Sequence, residues 1–207
     1  MINSMNRLYR NVTLLRAILR CCSVLILCSA LTLSSCQTLP MPKKGYWMNV
    51  QEVVNGNTLE AIGVEAIGGE FPDWQGQRVR IRLIGIDAPD LDQDPWGKAA
   101  QQFVAEQVGL GSSSRLPPSD RLVLLSFDTQ IQDGYDRLLA YVWTDQGLLN
   151  ETIVAAGQAL ANSYFPNVRY EEVLGNAQHK ARLLGLGIWD PEQPLRESPA
   201  EFRRRRT

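Results

Sequence analysis

From residue 45 onward the apolar positions follow two periods. Tyr46 to Val54 and Thr58 to Val64 are strand-like runs separated by Asn55-Gly56-Asn57, where Asn-Gly offers the positive φ of a tight hairpin. Arg78-Val79-Arg80-Ile81-Arg82-Leu83 alternates fully, so Val79, Ile81 and Leu83 share one face and three arginines the other. Arg121 to Phe127 and Arg137 to Trp143 read as a second hairpin around Asp133-Gly134. Helical spacing governs Trp96 to Leu110, Leu148 to Ala159, and the stripe Tyr170, Val173, Leu174, Ala177, Ala181 and Leu184. Gly109, Gly111, Gly185 and Gly187 stop these helices. The order predicts a mixed α/β (α+β) fold, a five-stranded OB-type barrel with about three packed helices.

The first 36 residues belong to a different pattern. Residues 7 to 20 carry arginines and no acids, and Cys21 to Leu33 is an apolar run shorter than the roughly 20 residues a membrane span needs. This is the layout of a secretory signal, and Leu33-Ser34-Ser35-Cys36 resembles the bacterial lipobox, whose cysteine is acylated. An ordinary signal peptide with Cys36 incidental is the alternative. The reading divides the chain into a signal peptide (1–36), a proline-containing tether (37–44), one folded domain (45–190) and a flexible basic tail (191–207). It places the protein outside the cytoplasm, lipid-anchored in the cell envelope through Cys36 on a periplasmic or extracellular face, as a monomer.

Composition then narrows the chemistry. With 44% hydrophobic and 21% charged residues the chain is ordinary for a globular protein. Its net charge of −1 includes four leader arginines, without which the rest is acidic at −5. Such a body lacks the broad basic surface that grips nucleic acid nonspecifically, so any phosphate chemistry is local. All four cysteines lie at or before position 36 and His179 is the single histidine, which leaves carboxylates and arginines to do the work. His179, beside Lys180 on a helix, reads as an exposed surface residue, and Trp143, Tyr141 and Trp189 read as core.

Two stretches carry candidate chemistry. Arg82-Leu83-Ile84-Gly85-Ile86-Asp87-Ala88-Pro89-Asp90 brings an arginine from a strand and two carboxylates from the turn that ends it. Asp133-Gly134-Tyr135-Asp136-Arg137 sets a second arginine at the start of the next hairpin strand. Each alone is ordinary turn punctuation. Their order, together with Val54-Asn55-Gly56-Asn57-Thr58 before them and Gly185 to Trp189 after them, resembles the thermonuclease (staphylococcal nuclease-like) family over residues 45 to 190.

That resemblance implies an OB-fold barrel with three helices and calcium-dependent hydrolysis of DNA and RNA. Carried over by position, it makes Arg82 and Arg137 the catalytic arginines, Asp87 and the Ala88 carbonyl calcium ligands with Asn57, and Asp90 the general base. Guanidiniums and a cation suit a reaction that builds negative charge on phosphate oxygens, and calcium prefers oxygen ligands. Tyr135 could hydrogen-bond a phosphate oxygen or pack as a hairpin aromatic.

The chain departs from the family pattern in several places. Asn57 stands where the family carries an aspartate ligand and Asn55 also replaces an acid, so calcium affinity is expected toward the weak end, about 10⁻⁴ to 10⁻³ M. Asp90 is one methylene shorter than the family's glutamate. Asp136 replaces a common glycine and could pair with Arg137, and a substrate-side tyrosine pair has no clear match near Ser163, Tyr164 and Phe165. These departures keep open a weakened or noncatalytic OB module that binds nucleic acid or a protein partner.

Overall fold

The computed structural model describes residues 39–70, 72–111, 117 and 121–206. The expected signal segment, with the lipobox-like cysteine at position 36, lies outside the described residues. Six strands form one sheet: β1 (Gly45–Asn55), β2 (Thr58–Ile67), β3 (Arg78–Leu83), β5 (Leu122–Gln132), β6 (Leu138–Thr144) and β7 (Gly147–Leu148). Their order is β3-β2-β1-β5-β6-β7, and β3 also pairs in parallel with β6, so the sheet curls back on itself. A short pair, β4 (Ile86–Asp87) with β8 (Leu160–Ala161), lies beside it. The barrel expected from the alternating runs is therefore closed by the contact between Arg78–Leu83 and Leu138–Thr144.

Alternation explains the interior. Ile81 and Leu83 on β3 are fully buried and join Met48, Leu59, Leu125 and Val142 in one core, while Arg78 and Arg80 face out. Each such aliphatic side chain contributes about 1.5–3 kcal/mol by leaving water. Helices α1 (Trp96–Gln107), α2 (Leu149–Ala155) and α3 (Glu171–Leu183) pack apolar stripes on this core through Ala100, Val104, Ile153, Leu174 and Ala177. Tyr141 and Trp143 are buried, the Trp143 indole N–H donating to Ser126 Oγ at 3.0 Å, and His179 is exposed, as their sequence contexts suggest.

Two expectations change. Gly56 does not adopt the positive φ expected of the β1–β2 turn. Its place is fixed by close approach instead: a Cβ there would come within 2.7 Å of the Cβ atoms of both Ala88 and Ala100. The hairpin tip thus rests on α1 and on the turn that carries Asp87. The second change concerns residues 199–206, expected in a flexible tail, which form helix α4 (Pro199–Arg206). A reciprocal capping box starts it: the Ser198 N–H donates to Glu201 Oε2 at 2.9 Å and the Glu201 N–H donates to Ser198 Oγ at 3.3 Å, with proline at the first helical position.

Candidate active site

Arg82 leaves the outer face of β3 and its guanidinium turns under the following bend. It donates to the carbonyls of Leu83 and Ile86, the latter at 2.9 Å. The bend needs Gly85 at φ +77, where a Cβ would also strike Leu174, and it is braced by Asn150, whose buried amide donates to the Ile84 carbonyl at 2.8 Å. One orientation of the Asn57 amide satisfies its neighbours, with its oxygen accepting from Arg82 Nη1 at 3.0 Å, Arg82 Nη2 at 3.1 Å and the Ala88 N–H at 3.1 Å. Burial is the main force that lowers the Arg82 pKa to about 10, with Asp87 opposing it. Arg82 still carries its charge at neutral pH.

Asn57, expected among the metal ligands, has another task in this structure. It is 7% exposed, and in that orientation its oxygen faces Arg82 and Ala88. The physical reason is demand: a buried guanidinium and a buried N–H require an acceptor, and an amide oxygen supplies one at no cost in charge.

Arg137 is held by the turn before it. Asp133 Oδ2 accepts from Arg137 Nε at 2.8 Å and pairs with Nη2 at 2.7 Å, while Oδ1 accepts from the backbone N–H groups of Tyr135 and Arg137. Burial, the largest single influence, raises the Asp133 pKa, but these donors together outweigh it and the carboxyl sits below its ordinary value. Asp136, weighed as a partner for Arg137, instead occupies a left-handed position at φ 60, which explains why a glycine would suit that place. Tyr135 is 82% exposed and lays its ring against the Arg137 guanidinium, 5.4 Å from the ring centre.

The carboxylates lie at the other edge of the bend. Asp87 is 3% exposed; its Oδ1 makes no hydrogen bond and stands 3.7 Å from Arg82 Nη2. Its Oδ2 accepts from Arg203 Nη2 of α4 at 2.7 Å, and Arg203 Nη1 reaches Asp90 Oδ2 at 3.5 Å. Asp90 is half-buried, and burial is the largest cause that raises its pKa, with the neighbouring Asp87 adding and Arg203 opposing. Ala88 is buried between them. Among the described residues no group of three or more His, Cys, Asp or Glu side chains is assembled as a metal site.

Arg82 and Arg137 open on the same pocket of about 190 Å³, whose rim includes Gly85, Asn162, Tyr164 and Phe165. Tyr164 and Phe165 are 69% and 90% exposed. Their loop is pinned by Asn167, which accepts from the Gln130 N–H at 2.8 Å and donates to the Gln130 carbonyl at 2.9 Å. The two arginines that flank Arg82 are not part of this pocket: Arg78 pairs with Glu52 and Glu60, and Arg80 with Glu60. Sequence reading overlooked Arg203, for which the only signal was the capping sequence Ser198-Pro199-Ala200-Glu201 ahead of four arginines.

Comparison with known proteins gives the family. The family model described as staphylococcal nuclease homologue matches residues 80–191. A thermonuclease of Staphylococcus hyicus is 33% identical over 142 residues, which cover 65% of this chain and 78% of that protein. A thermonuclease of Staphylococcus intermedius is 31% identical over 146 residues, covering 68% and 74%. Endonuclease YncB of Bacillus subtilis (strain 168) is 26% identical over 154 residues, covering 71% and 63%.

Proposed function

This chain belongs to the staphylococcal nuclease homologue family, and we propose that it is a calcium-assisted endonuclease that cuts DNA or RNA outside the cytoplasm, held at a membrane by lipid on Cys36. The observation that carries the reading is the convergence of Arg82 and Arg137 on one pocket. Both guanidiniums are fixed before substrate arrives, by backbone carbonyls and Asn57 in one case and by Asp133 in the other. Preset donors of this kind favour the transition state, in which phosphate oxygens gain negative charge, over the ground state. Asp90, with its raised pKa, takes the proton of the attacking water.

The fit of the residues to calcium rests on Asp87, whose buried Oδ1 accepts no hydrogen bond and lies 3.7 Å from Arg82 Nη2, a hard oxygen of the kind calcium takes. Asp87 and the Ala88 carbonyl would hold the ion, with the Asp90 carboxylate beside them as the base; when bound it supplies positive charge beside the scissile phosphate. In the orientation that satisfies its neighbours the Asn57 oxygen faces Arg82 and the Ala88 N–H, which weighs against it as a further ligand.

The inward turn of Asn57 and the Arg203 pairing favour one competing reading, a noncatalytic module that binds nucleic acid or a protein. The test is incubation of the full-length chain with single-stranded DNA in millimolar calcium or chelator, beside Arg82→Ala and Arg137→Ala. Calcium-dependent cleavage lost in both variants supports the nuclease; intact DNA, or cleavage that survives both substitutions, supports the module.

A further inference from the structure

Helix α4 is attached mainly by charge. Arg205 pairs with Glu197 at 2.9 Å and Arg206 with Asp92, while Pro199 is its one buried residue and Phe202 is half-buried. Both of these ion pairs are exposed, and the one to Glu197 joins the helix only to the segment just before it; such pairs contribute little each and are weakened by salt. Arg203 differs from them. Its fork spans Asp87 Oδ2 and Asp90 Oδ2, one of them on a carboxylate that is 3% exposed, while the Arg203 side chain itself remains 46% exposed.

We propose that α4 is a built-in competitor for the divalent cation: the Arg203 guanidinium sits on the Asp87 carboxylate that would hold the ion and reaches Asp90 beside it, so cation binding and release of the C-terminal helix are coupled. The inference rests on the calcium reading given above. Asp87 and Asp90 present two negative charges in one half-enclosed place, and such a place is neutralised by a guanidinium or by a divalent ion in turn. The guanidinium is tethered through a short helix, so it competes at a high effective concentration. The capping box at Ser198 and Glu201 keeps the helix formed and the arginine presented, and the exposed flank of Arg203 gives the ion a route of entry. The enzyme is thereby set to a threshold: the site fills only when calcium is abundant enough to displace its own arginine. Because coupling is reciprocal, filling the site loosens α4.

The test is calorimetric titration of calcium into the full-length protein in detergent, beside Arg203→Gln, Arg205→Gln and Ser198→Ala. Coupled sites commonly differ by about 5- to 150-fold, and Arg203→Gln should bind calcium roughly tenfold tighter than the natural chain. Ser198→Ala, which loosens the helix without touching the carboxylates, should shift affinity in the same direction by less, and Arg205→Gln least. Hydrogen exchange in residues 199–206 should quicken when calcium is added to the natural chain. Equal or weaker calcium binding by both Arg203→Gln and Ser198→Ala overturns the proposal, as does an absence of calcium binding in every protein. DNA cleavage scored on the same samples separates the two claims: calcium-dependent cleavage without any gain in affinity sinks the competitor and leaves the nuclease standing.

Discussion

The two halves of the site are built in different ways. Arg82 and Arg137 are positioned by neighbours close in the chain, the carbonyls of Leu83 and Ile86 for one and Asp133 for the other. Asp87 and Asp90 share a partner, Arg203, that lies 116 residues beyond Asp87 on a helix held by exposed ion pairs. The cationic half is therefore rigid before any ligand arrives, and the acidic half is held by something that can leave. Strength at the phosphate and adjustability at the ion are separated on opposite sides of one bend.

The sharpest way to break that contrast is to soften the rigid half. Arg82→Lys keeps a charge but replaces a planar fork with a single ammonium, which loses the two separate nitrogens that reach Leu83 and Ile86. We expect kcat to fall by about 10²–10³-fold, the loss typical of one transition-state donor. Steady-state cleavage of a defined oligonucleotide checks it, and a variant within about tenfold of the natural chain would mean that rigidity at Arg82 matters little.

Asn57→Ala comes next in size. It strips the acceptor from the Arg82 guanidinium and the Ala88 N–H, and leaving buried donors unmet costs about 1–3 kcal/mol. Urea denaturation without calcium is the measurement. Were Asn57 instead part of the adjustable half, stability would hold and calcium affinity alone would drop.

Asp133→Asn tests the other arginine. The carboxylate takes charged and backbone donors at once, so its loss should cost about 1–2 kcal/mol at neutral pH. The sign with pH follows from its depressed pKa. An unfolded aspartate titrates near about 3.9, so the contribution is complete above that pH and disappears as pH falls through the lower folded value. Denaturation curves of variant and natural chain should converge only in strong acid.

The same division decides what could be read from the sequence. The alternation of Arg78 to Leu83 gives the strand, its buried face and the exit of Arg82, because period-two burial is a local property. The turn residues Asp133 and Asp136 announce the turn that delivers Arg137 just before β6. The inward use of Asn57 was not legible, since it depends on Ala88 being brought against the hairpin tip, where Gly56 leaves room for no side chain. Arg203 was hidden for a different reason. Four consecutive arginines have the composition of a solvated tail, and the partners of Arg203 and Arg206 are the sequence-distant acids Asp87, Asp90 and Asp92.

Asp136→Gly carries the smallest expected effect and separates two explanations of the same residue. At φ 60 an aspartate is tolerated but strained relative to glycine, whose freedom in the unfolded chain offsets part of the relief. A gain of about 0.5 kcal/mol or less is expected, visible as a small rise in the urea midpoint. Because Arg137 gives its ion pair to Asp133, removing the Asp136 carboxylate should leave cleavage unchanged. A rise in kcat would show that Asp136 draws Arg137 away from phosphate in solution, and the rigid half of the site would then contain a movable arginine as well.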